Sequence, residues 1–528
     1  MELVTAAKMR ERDRWAIEVA GLPGIALMEN AGRQVAQLVG KIVGDPAGKK
    51  VWIFAGKGNN GGDGLVAGRH LAKAGAAVEV FLLVPREKIS GDAAINLNVY
   101  RKLGLPLQEI TSGAALAELQ PRLGEVDLIV DAILGTGVKG PVEGFFAQVI
   151  AFLNAGKKPV LAVDLPSGLE ADTGACPGPV VKAQDTITFD LPKIGLCLYP
   201  GAELAGNLWV AEIGIPPGAP LPENNTFLVT PEKVAAQLQP RPQNSHKGWW
   251  GRVLVVAGSC GMSGAAILAT KGALRAGAGL ATAAVPEGIQ PVVAGCVVEA
   301  MTRPLPETVA GCLSRKAEAE ILKQAAVADA VVMGPGLGTE RETVELVRAL
   351  LPQLQVPVVL DADGLNVLVG NSGLLQHLTA PVIITPHPGE MARLCNISVA
   401  DVQANRLALT QAKAKEWGVI LVLKGARTII VAPDGRTAVN PTGNAGLASG
   451  GTGDVLAGVI AALVGQGCAP FWAAVSGVFL HGLAGDLGVK EKGEAGLLAG
   501  DVVEYLPSAW LAVTRRMERL IPFLHVLA

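Results

Sequence analysis

Aromatic side chains are scarce: Phe, Trp and Tyr make up 4% of the 528 residues. Platforms for single-stranded nucleic acid stack bases on such rings, so that class is disfavoured. Neither sign of charge is in excess. With 45 basic against 47 acidic residues, there is no basic field for nucleic acid and no acidic tail pointing to disorder. The seven cysteines are widely spaced and include no Cys-x-x-Cys pair, which argues against a zinc site or a disulfide framework. The opening MELVTAAKMRERDRW carries charges where a secretory signal has its apolar run, so a reducing cytoplasm is expected. Residues 455–480 lack any charge and are numerous enough to cross a bilayer. Gly465-Gln466-Gly467 and Pro470 break that run, and two packed core helices are expected rather than a membrane span.

Half the residues are hydrophobic, ample for sizeable cores, and the length calls for two or three domains. The 66 glycines exceed the usual share of roughly 7% and fall in turns between apolar runs. Such runs lie at 50–55, 78–84, 128–133 and 160–163, and again at 253–257, 330–333, 356–360, 382–385 and 420–424. Continuous Val/Ile/Leu runs spaced by helical patterns predict parallel sheets covered on both faces, an α/β protein. A Pro-rich, polar stretch at 215–225 reads as a linker, and a second Pro-rich patch at 239–243 leads into the next strand. Domains of 1–220 and 221–528 are expected, with no internal repeat.

The most informative segment is Asn444-Ala445-Gly446-Leu447-Ala448-Ser449-Gly450-Gly451-Thr452-Gly453-Asp454, followed by an uncharged helical pattern. A Gly-rich turn feeding a helix leaves N–H groups free at the positive end of the helix dipole. Phosphate, or charge developing during phosphoryl transfer, fits there. Asp454 in the first turn could take a proton from an attacking hydroxyl. The plainer alternative is a helix capped by Thr452 or Asp454. In the first half, the run at 50–55 ends in a glycine loop, Gly56 to Gly64, with a helix expected near Leu65. Strand, glycine loop and helix suit a pyrophosphate, although the spacing is not GxGxxG. Asn59, Asn60 and Asp63 sit within that loop. Two further strand ends carry Asp131 and Asp164, and ligands of parallel sheets sit at such ends. Asn60, Asp131 and Ser167 offer amide, carboxylate and hydroxyl oxygens suited to a hard cation. Asp164 is then a candidate acid or base. Each aspartate taken singly could instead merely cap a turn.

Asn59-Asn60-Gly61-Gly62-Asp63-Gly64, Val130 to Gly137, Val163 to Gly168, Leu27 to Gly32 and Phe189 to Leu196 together resemble the epimerase domain of the bifunctional NAD(P)H-hydrate repair enzymes. The resemblance implies a Rossmann-like three-layer sandwich that interconverts R and S hydrated NADH or NADPH (NADHX, NADPHX). It implies potassium on Asn60, Asp131 and Ser167. Substrate contacts would come from Asn59, Asn60, Gly61, Gly62, Asp63, Gly135, Thr136, Gly137, Val138, Lys139, Gly140, Pro141 and Asp164. Asp164 would move the proton, with Lys193 the weaker candidate. Residues His246-Lys247-Gly248, Val255 to Ser259, Ser263 to Ala266, Ala273 to Leu280, Gly334 to Gly338, Asp361 to Asn366, Thr385 to Glu390, Leu423 to Ala426 and Gly450 to Asp454 resemble the same family's ADP- or ATP-dependent dehydratase domain. That domain has a ribokinase-like α/β fold. By resemblance Asp454 is its base, Ala265, Gly338, His387 and Asp454 touch the hydrated cofactor, and Lys424, Gly425, Ala426, Arg427, Thr428 and Gly453 hold the nucleotide. Magnesium would bridge the phosphates with Glu390 as a helper, and a homo-oligomer of four or more copies is implied. Asp361, Asp363 and Asn366 are read as shaping a turn, and His481 as a core histidine. His70, His377 and His525 are given no role. Two other readings stay open: a small-molecule kinase of the ribokinase class, and a non-catalytic binding module.

Overall fold

The computed structural model describes residues 1–220, 226–517 and 520–527. Residues 221–225 of the expected linker lie outside the described residues. The chain divides into two compact units, Met1–Glu223 with Pro522–Ala528, and Asn224–Ile521. The expected boundary at 220/221 falls close to this division, but the chain's last residues belong to the first unit. There the strand Leu524–Leu527 pairs in parallel with Asn207–Ala211.

The first unit is built on an eight-stranded, all-parallel sheet. In spatial order its strands are Leu524–Leu527, Asn207–Ala211, Asp185–Phe189, Val160–Val163, Leu128–Ala132, Lys50–Ala55, Ala77–Leu82 and Leu107–Glu109. In Lys50–Ala55 every residue after Lys50 is buried. Val51, Ile53 and Ala55 face a core shared with Leu27, Val35 and Leu65, while Trp52 and Phe54 face another shared with Val149 and Ile150. Alternation with both faces apolar gives the three layers of a Rossmann-like sandwich. From Lys50–Ala55 the chain first builds one side of the sheet and then crosses to Leu128–Ala132 on the other. That reversal opens a crevice beyond the strand ends.

One expectation is corrected here. The helix runs Asn59–Lys73, so it begins within the supposed glycine loop. A methyl on Gly61 would lie 2.1 Å from the Gly56 oxygen, one on Gly62 2.6 Å from Met28 Sδ, and one on Gly64 2.7 Å from the Ala132 Cβ. These glycines let the helix lie tight against its neighbours.

The second unit carries a ten-stranded sheet in the order Met301–Leu305, Leu280–Pro286, Arg252–Val256, Ala330–Met333, Val358–Leu360, Val382–Ile384, Ile420–Leu423, Ile429–Val431, Thr437–Val439 and Thr226–Leu228. The pairings through Ile420–Leu423 are parallel, followed by an antiparallel hairpin. This is a ribokinase-like α/β arrangement. The uncharged run forms two helices, Thr452–Gly465 and Pro470–Lys492, parted where the glycines and Pro470 predict. Pro470–Lys492 is long and apolar enough to span a membrane, yet 78% of its apolar window is buried inside the unit. Thr452–Gly465 packs on the helix Ser263–Arg275. A methyl on Gly458 would lie 2.0 Å from the Ala269 oxygen, so the two backbones are nearly in contact.

Candidate active sites

In the first unit a cavity of about 880 Å³ opens at the carboxyl ends of the central strands. Asp164 follows Val160–Val163 directly and has φ 65°, a left-handed conformation that costs a non-glycine residue roughly 1 kcal/mol or more. Its Oδ1 accepts hydrogen bonds from Lys193 Nζ at 2.5 Å and from Thr188 Oγ1 at 3.2 Å. Lys193 is only 1% exposed, and Nζ also reaches Thr188 Oγ1 at 3.1 Å. The N-terminal segment holds this lysine in place: Val4 N–H bonds to Pro192 O, and Ile194 N–H to Val4 O. Lys193, the weaker of the two candidates for moving the proton, is the buried partner of Asp164.

Asn60, Asp131 and Ser167 do come together. Fully buried Asp131 accepts from Ser167 N at 2.8 Å on Oδ2 and from Ser167 Oγ at 2.6 Å on Oδ1. Burial pushes its carboxyl up to about 6, against the lowering by Ser167. Leu134 N donates to Ser167 Oγ at 2.9 Å, and Asn60 Nδ2 donates to Leu134 O at 3.0 Å. Asn60 Oδ1 is buried with no hydrogen-bond partner. Such an orphaned oxygen beside a buried carboxylate fits a hard, weakly demanding cation.

Gly135, Thr136, Gly137, Val138, Lys139, Asn59, Asn60 and Asp63 line the cavity; Gly61, Gly62, Gly140 and Pro141 do not. Exposed Arg10, Lys57 and Lys139 stand at its edge. The sequence reading missed Asp13, which lines the same cavity. Burial pushes its carboxyl up to about 6, Lys193 pulls it down, and Asp164 and Asp190 raise it further. Its neighbour Asp63 is raised well above the carboxylate range, first by burial and then by the charges of Asp164 and Asp13. A signal was available. On the helix Ala6–Glu18 the buried residues are Ala6, Met9, Arg12 and Ala16, and the 3–4 spacing between Met9 and Ala16 puts Asp13 on their face.

In the second unit consecutive strand ends again supply the groups. Asp361 follows Val358–Leu360 and is 1% exposed. Its Oδ1 accepts from Lys424 Nζ at 2.7 Å and from Thr385 Oγ1 at 2.8 Å. Glu390 Oε2 lies 3.8 Å from the same Nζ. Burial alone would depress the Lys424 ammonium, but the charges of Asp361 and Glu390 raise it above its ordinary value. A Cβ on Gly453 would sit 3.3 Å from Lys424 Nζ and 3.5 Å from Asp361 Oδ2. The start of the helix Thr452–Gly465 is thereby fixed over this ion pair.

Neither Thr452 nor Asp454 caps that helix. Its N-cap is Gly451 at φ 89°, with no side-chain cap, and Thr452 Oγ1 donates to Leu447 O and Ser449 O instead. Asp454 is pushed up to about 7, first by burial, then by Asp361, with Lys424 opposing. Buried His481 donates to Thr452 O at 2.9 Å and is pushed down to about 4 by burial, a neutral core histidine as expected.

Asp363 and Asn366 shape the turn as expected, whereas the Asp361 side chain is taken up by Lys424 and Thr385. Asp363 Oδ2 accepts from Gly338 N at 2.9 Å and Oδ1 from Asn366 Nδ2 at 3.0 Å. Ala265 packs against Gly336, where an added Cβ would lie 2.9 Å from its own. His387, half-exposed, caps the helix Pro388–Cys395: its Nδ1 accepts from Gly389 N at 3.0 Å, and Glu390 Oε2 accepts from His387 N at 2.7 Å. Glu390 is therefore engaged as a cap. Gly425 to Thr428 form an open turn beyond Ile420–Leu423, where Ala426 is exposed, Arg427 donates to Pro441 O and Thr428 to Gly425 O. Arg406, unremarked in the sequence, props this turn by donating to Lys424 O, and burial lowers its guanidinium to about 10.

Residues 253–508 match the family described as NAD(P)H-hydrate dehydratase, and residues 24–195 match the YjeF-related protein N-terminus. The bifunctional NAD(P)H-hydrate repair enzyme Nnr of Moorella thermoacetica is 48% identical, with 99% of each chain covered. The Nnr of Escherichia coli K12 is 36% identical over 95% of this chain and 92% of its own. Among solved structures, the ADP/ATP-dependent NAD(P)H-hydrate dehydratase of Bacillus subtilis, co-crystallised with ATP and magnesium, is 34% identical. It covers 54% of this chain and 98% of its own, with a TM-score of 0.46. The chain belongs to the family of bifunctional NAD(P)H-hydrate repair enzymes.

Proposed function

We propose that the chain repairs hydrated nicotinamide dinucleotides, with one chemistry in each unit. The first unit interconverts the R and S forms of NADHX and NADPHX. The second dehydrates the S form at the expense of ADP or ATP. The observation that carries this reading is Asp454, a carboxyl at about 7 beside an uncapped helix N-terminus. A group near neutrality is suited to take and release a proton at working pH.

The substrate carries a hydroxyl on C6 of its ring, and hydroxide leaves poorly. Asp454 takes the hydroxyl proton as the oxygen attacks the terminal phosphoryl group. The free amides at Gly450 to Gly453 stabilise the charge that develops there. Phosphate then departs with the C6–O bond, and loss of the C5 proton restores the dihydronicotinamide. Lys424, Gly425, Ala426, Arg427, Thr428 and Gly453 form the nucleotide side of this site; Ala265, Gly338, His387 and Asp454 form the cofactor side. Magnesium would come with the nucleotide and supply positive charge to its phosphates. Glu390, already engaged as a helix cap and beside Lys424, does not fit as its ligand.

In the first unit Asp164 is the acid–base group, and buried Lys193 supplies its counter-charge and fixes its orientation. Asn60, Asp131 and Ser167 would hold potassium, which would supply positive charge beside the cavity. The same reading makes the protein a cytoplasmic homo-oligomer, tetrameric or larger, a state that sedimentation measures directly.

The test is mixed R and S NADHX with purified protein, ADP and ATP in separate reactions, followed by the near-ultraviolet absorbance of NADH. Full recovery with one nucleotide establishes both activities. Loss of the S form alone removes the epimerase assignment. A stable phosphorylated product without recovery of NADH supports a small-molecule kinase instead.

A further inference from the structure

Asp164 faces the cavity with its charge already matched by Lys193, and a single acid–base group cannot serve both faces of a flat ring. By loss and return of water, inverting C6 takes the hydroxyl off one face and restores it on the other. Two proton-transfer groups on one cavity are therefore needed. Asp13 projects into the same cavity from the helix Ala6–Glu18, an element separate from the strand end that carries Asp164. Among the described residues no hydrogen-bond donor reaches the carboxylates of Asp13 or Asp63. The second of these is 8% exposed and also lines the cavity.

We propose that Asp13 is a second catalytic residue of the epimerase site, working as the partner of Asp164 across the ring; this rests on the epimerase reading above. Asp13 in its acid form protonates the C6 hydroxyl. The C6–O bond breaks as the ring nitrogen's lone pair forms a C6=N1 double bond, and water departs. A second water adds to C6 from the opposite face and loses its proton to Asp164. In the reverse direction the two exchange roles, and solvent in the cavity returns the proton. No oxidant or reductant is involved.

The electrostatics agree with this division of labour. The groups facing Asp13 are Lys193, Asp164, Asp190 and Arg12, and the acidic ones together with burial hold it up to about 6. Asp63, which lines the same cavity, is itself raised well above its ordinary value by burial and by the charges of Asp164 and Asp13. The active state needs one proton on the pair, so epimerisation declines as pH rises above about 6.

The experiment uses the full chain with R-NADHX in water enriched in oxygen-18. In the wild type each inversion is expected to bring labelled oxygen to C6. In Asp13→Asn the epimerase kcat falls by about 100-fold or more, KM changes little, and the limb near pH 6 disappears. Asp13→Glu restores part of the rate, and dehydration of the S form stays intact in the same molecule as a control. Near wild-type epimerisation in Asp13→Asn overturns the proposal. So does inversion with retention of the original oxygen, which signals ring opening at C6–N1. A wild type that dehydrates S but never consumes R overturns the epimerase reading itself, a result distinct from both.

Discussion

Replacing Asp454 by asparagine should make the second unit more stable and stop its chemistry. The carboxyl titrates at about 7 in the folded protein against an ordinary 3.8, with burial the largest cause. A folded pKa raised above the unfolded one gives stability that is whole below the unfolded value and lost as pH climbs to the folded value. The loss here accumulates between about pH 4 and pH 7 and amounts to roughly 4 kcal/mol above that window. An amide is neutral throughout and escapes it. Denaturant unfolding of the second unit, run at pH 4 and pH 8, measures the difference. Wild type and Asp454→Asn should agree at the lower pH, and the variant should lead by a few kcal/mol at the higher. Dehydration of S-NADHX should fall by about 100-fold or more in the variant, the scale of a lost general base. A variant no more stable than wild type at pH 8 would refute the desolvation argument. One that retained activity would refute the role given to the carboxylate.

Other perturbations separate packing from chemistry. Lys193→Met strips the buried counter-charge from Asp164 and should cost about 3–5 kcal/mol in the first unit. Epimerisation should be lost while S-form dehydration survives, read in the same two assays. Asn60→Leu removes the orphaned Oδ1; exchanging potassium for choline should lower the first unit's melting midpoint in wild type and leave the variant unmoved. Gly458→Ala forces a methyl to 2.0 Å from the Ala269 oxygen, an overpacking worth about 1–3 kcal/mol or more. Its second-unit melting midpoint should drop by several degrees.

The sheets were legible because a strand buried on both faces needs an unbroken apolar run, and such runs are visible in one dimension. The strands expected at 50–55, 160–163 and 330–333 match those observed to the residue. What failed was glycine. Gly61, Gly62 and Gly64 read as a loop because glycine usually breaks helices, yet here they are helical and serve contact with Gly56, Met28 and Ala132. Contacts across the fold leave no mark in the local pattern. The same holds for Lys424 and Asp361, far apart in sequence and 2.7 Å apart in space. It holds also for Leu524–Leu527, whose place beside Asn207–Ala211 nothing in its own residues announces. His525, given no role, there stacks on Trp209 with ring centroids 4.0 Å apart.

The two units reach a common electrostatic solution on different topologies. Each places an aspartate directly after a parallel strand and pairs it with a lysine from another segment, Asp164 with Lys193 and Asp361 with Lys424. Each bends the backbone at that point into the left-handed region, at Asp164 and at Ala362. Beside each pair stands a carboxyl with no lysine of its own, Asp13 in one and Asp454 in the other, raised to about 6 and about 7. In each pair the lysine matches the aspartate's charge, and the negative member helps hold the neighbour's proton. Close carboxylates in different environments divide acid and base roles between them. In the chemistry proposed above both reactions move a proton at the C6 hydroxyl, and a carboxyl that titrates near neutrality suits both sites. Burial beside an aspartate whose charge a lysine matches is a route to such a carboxyl.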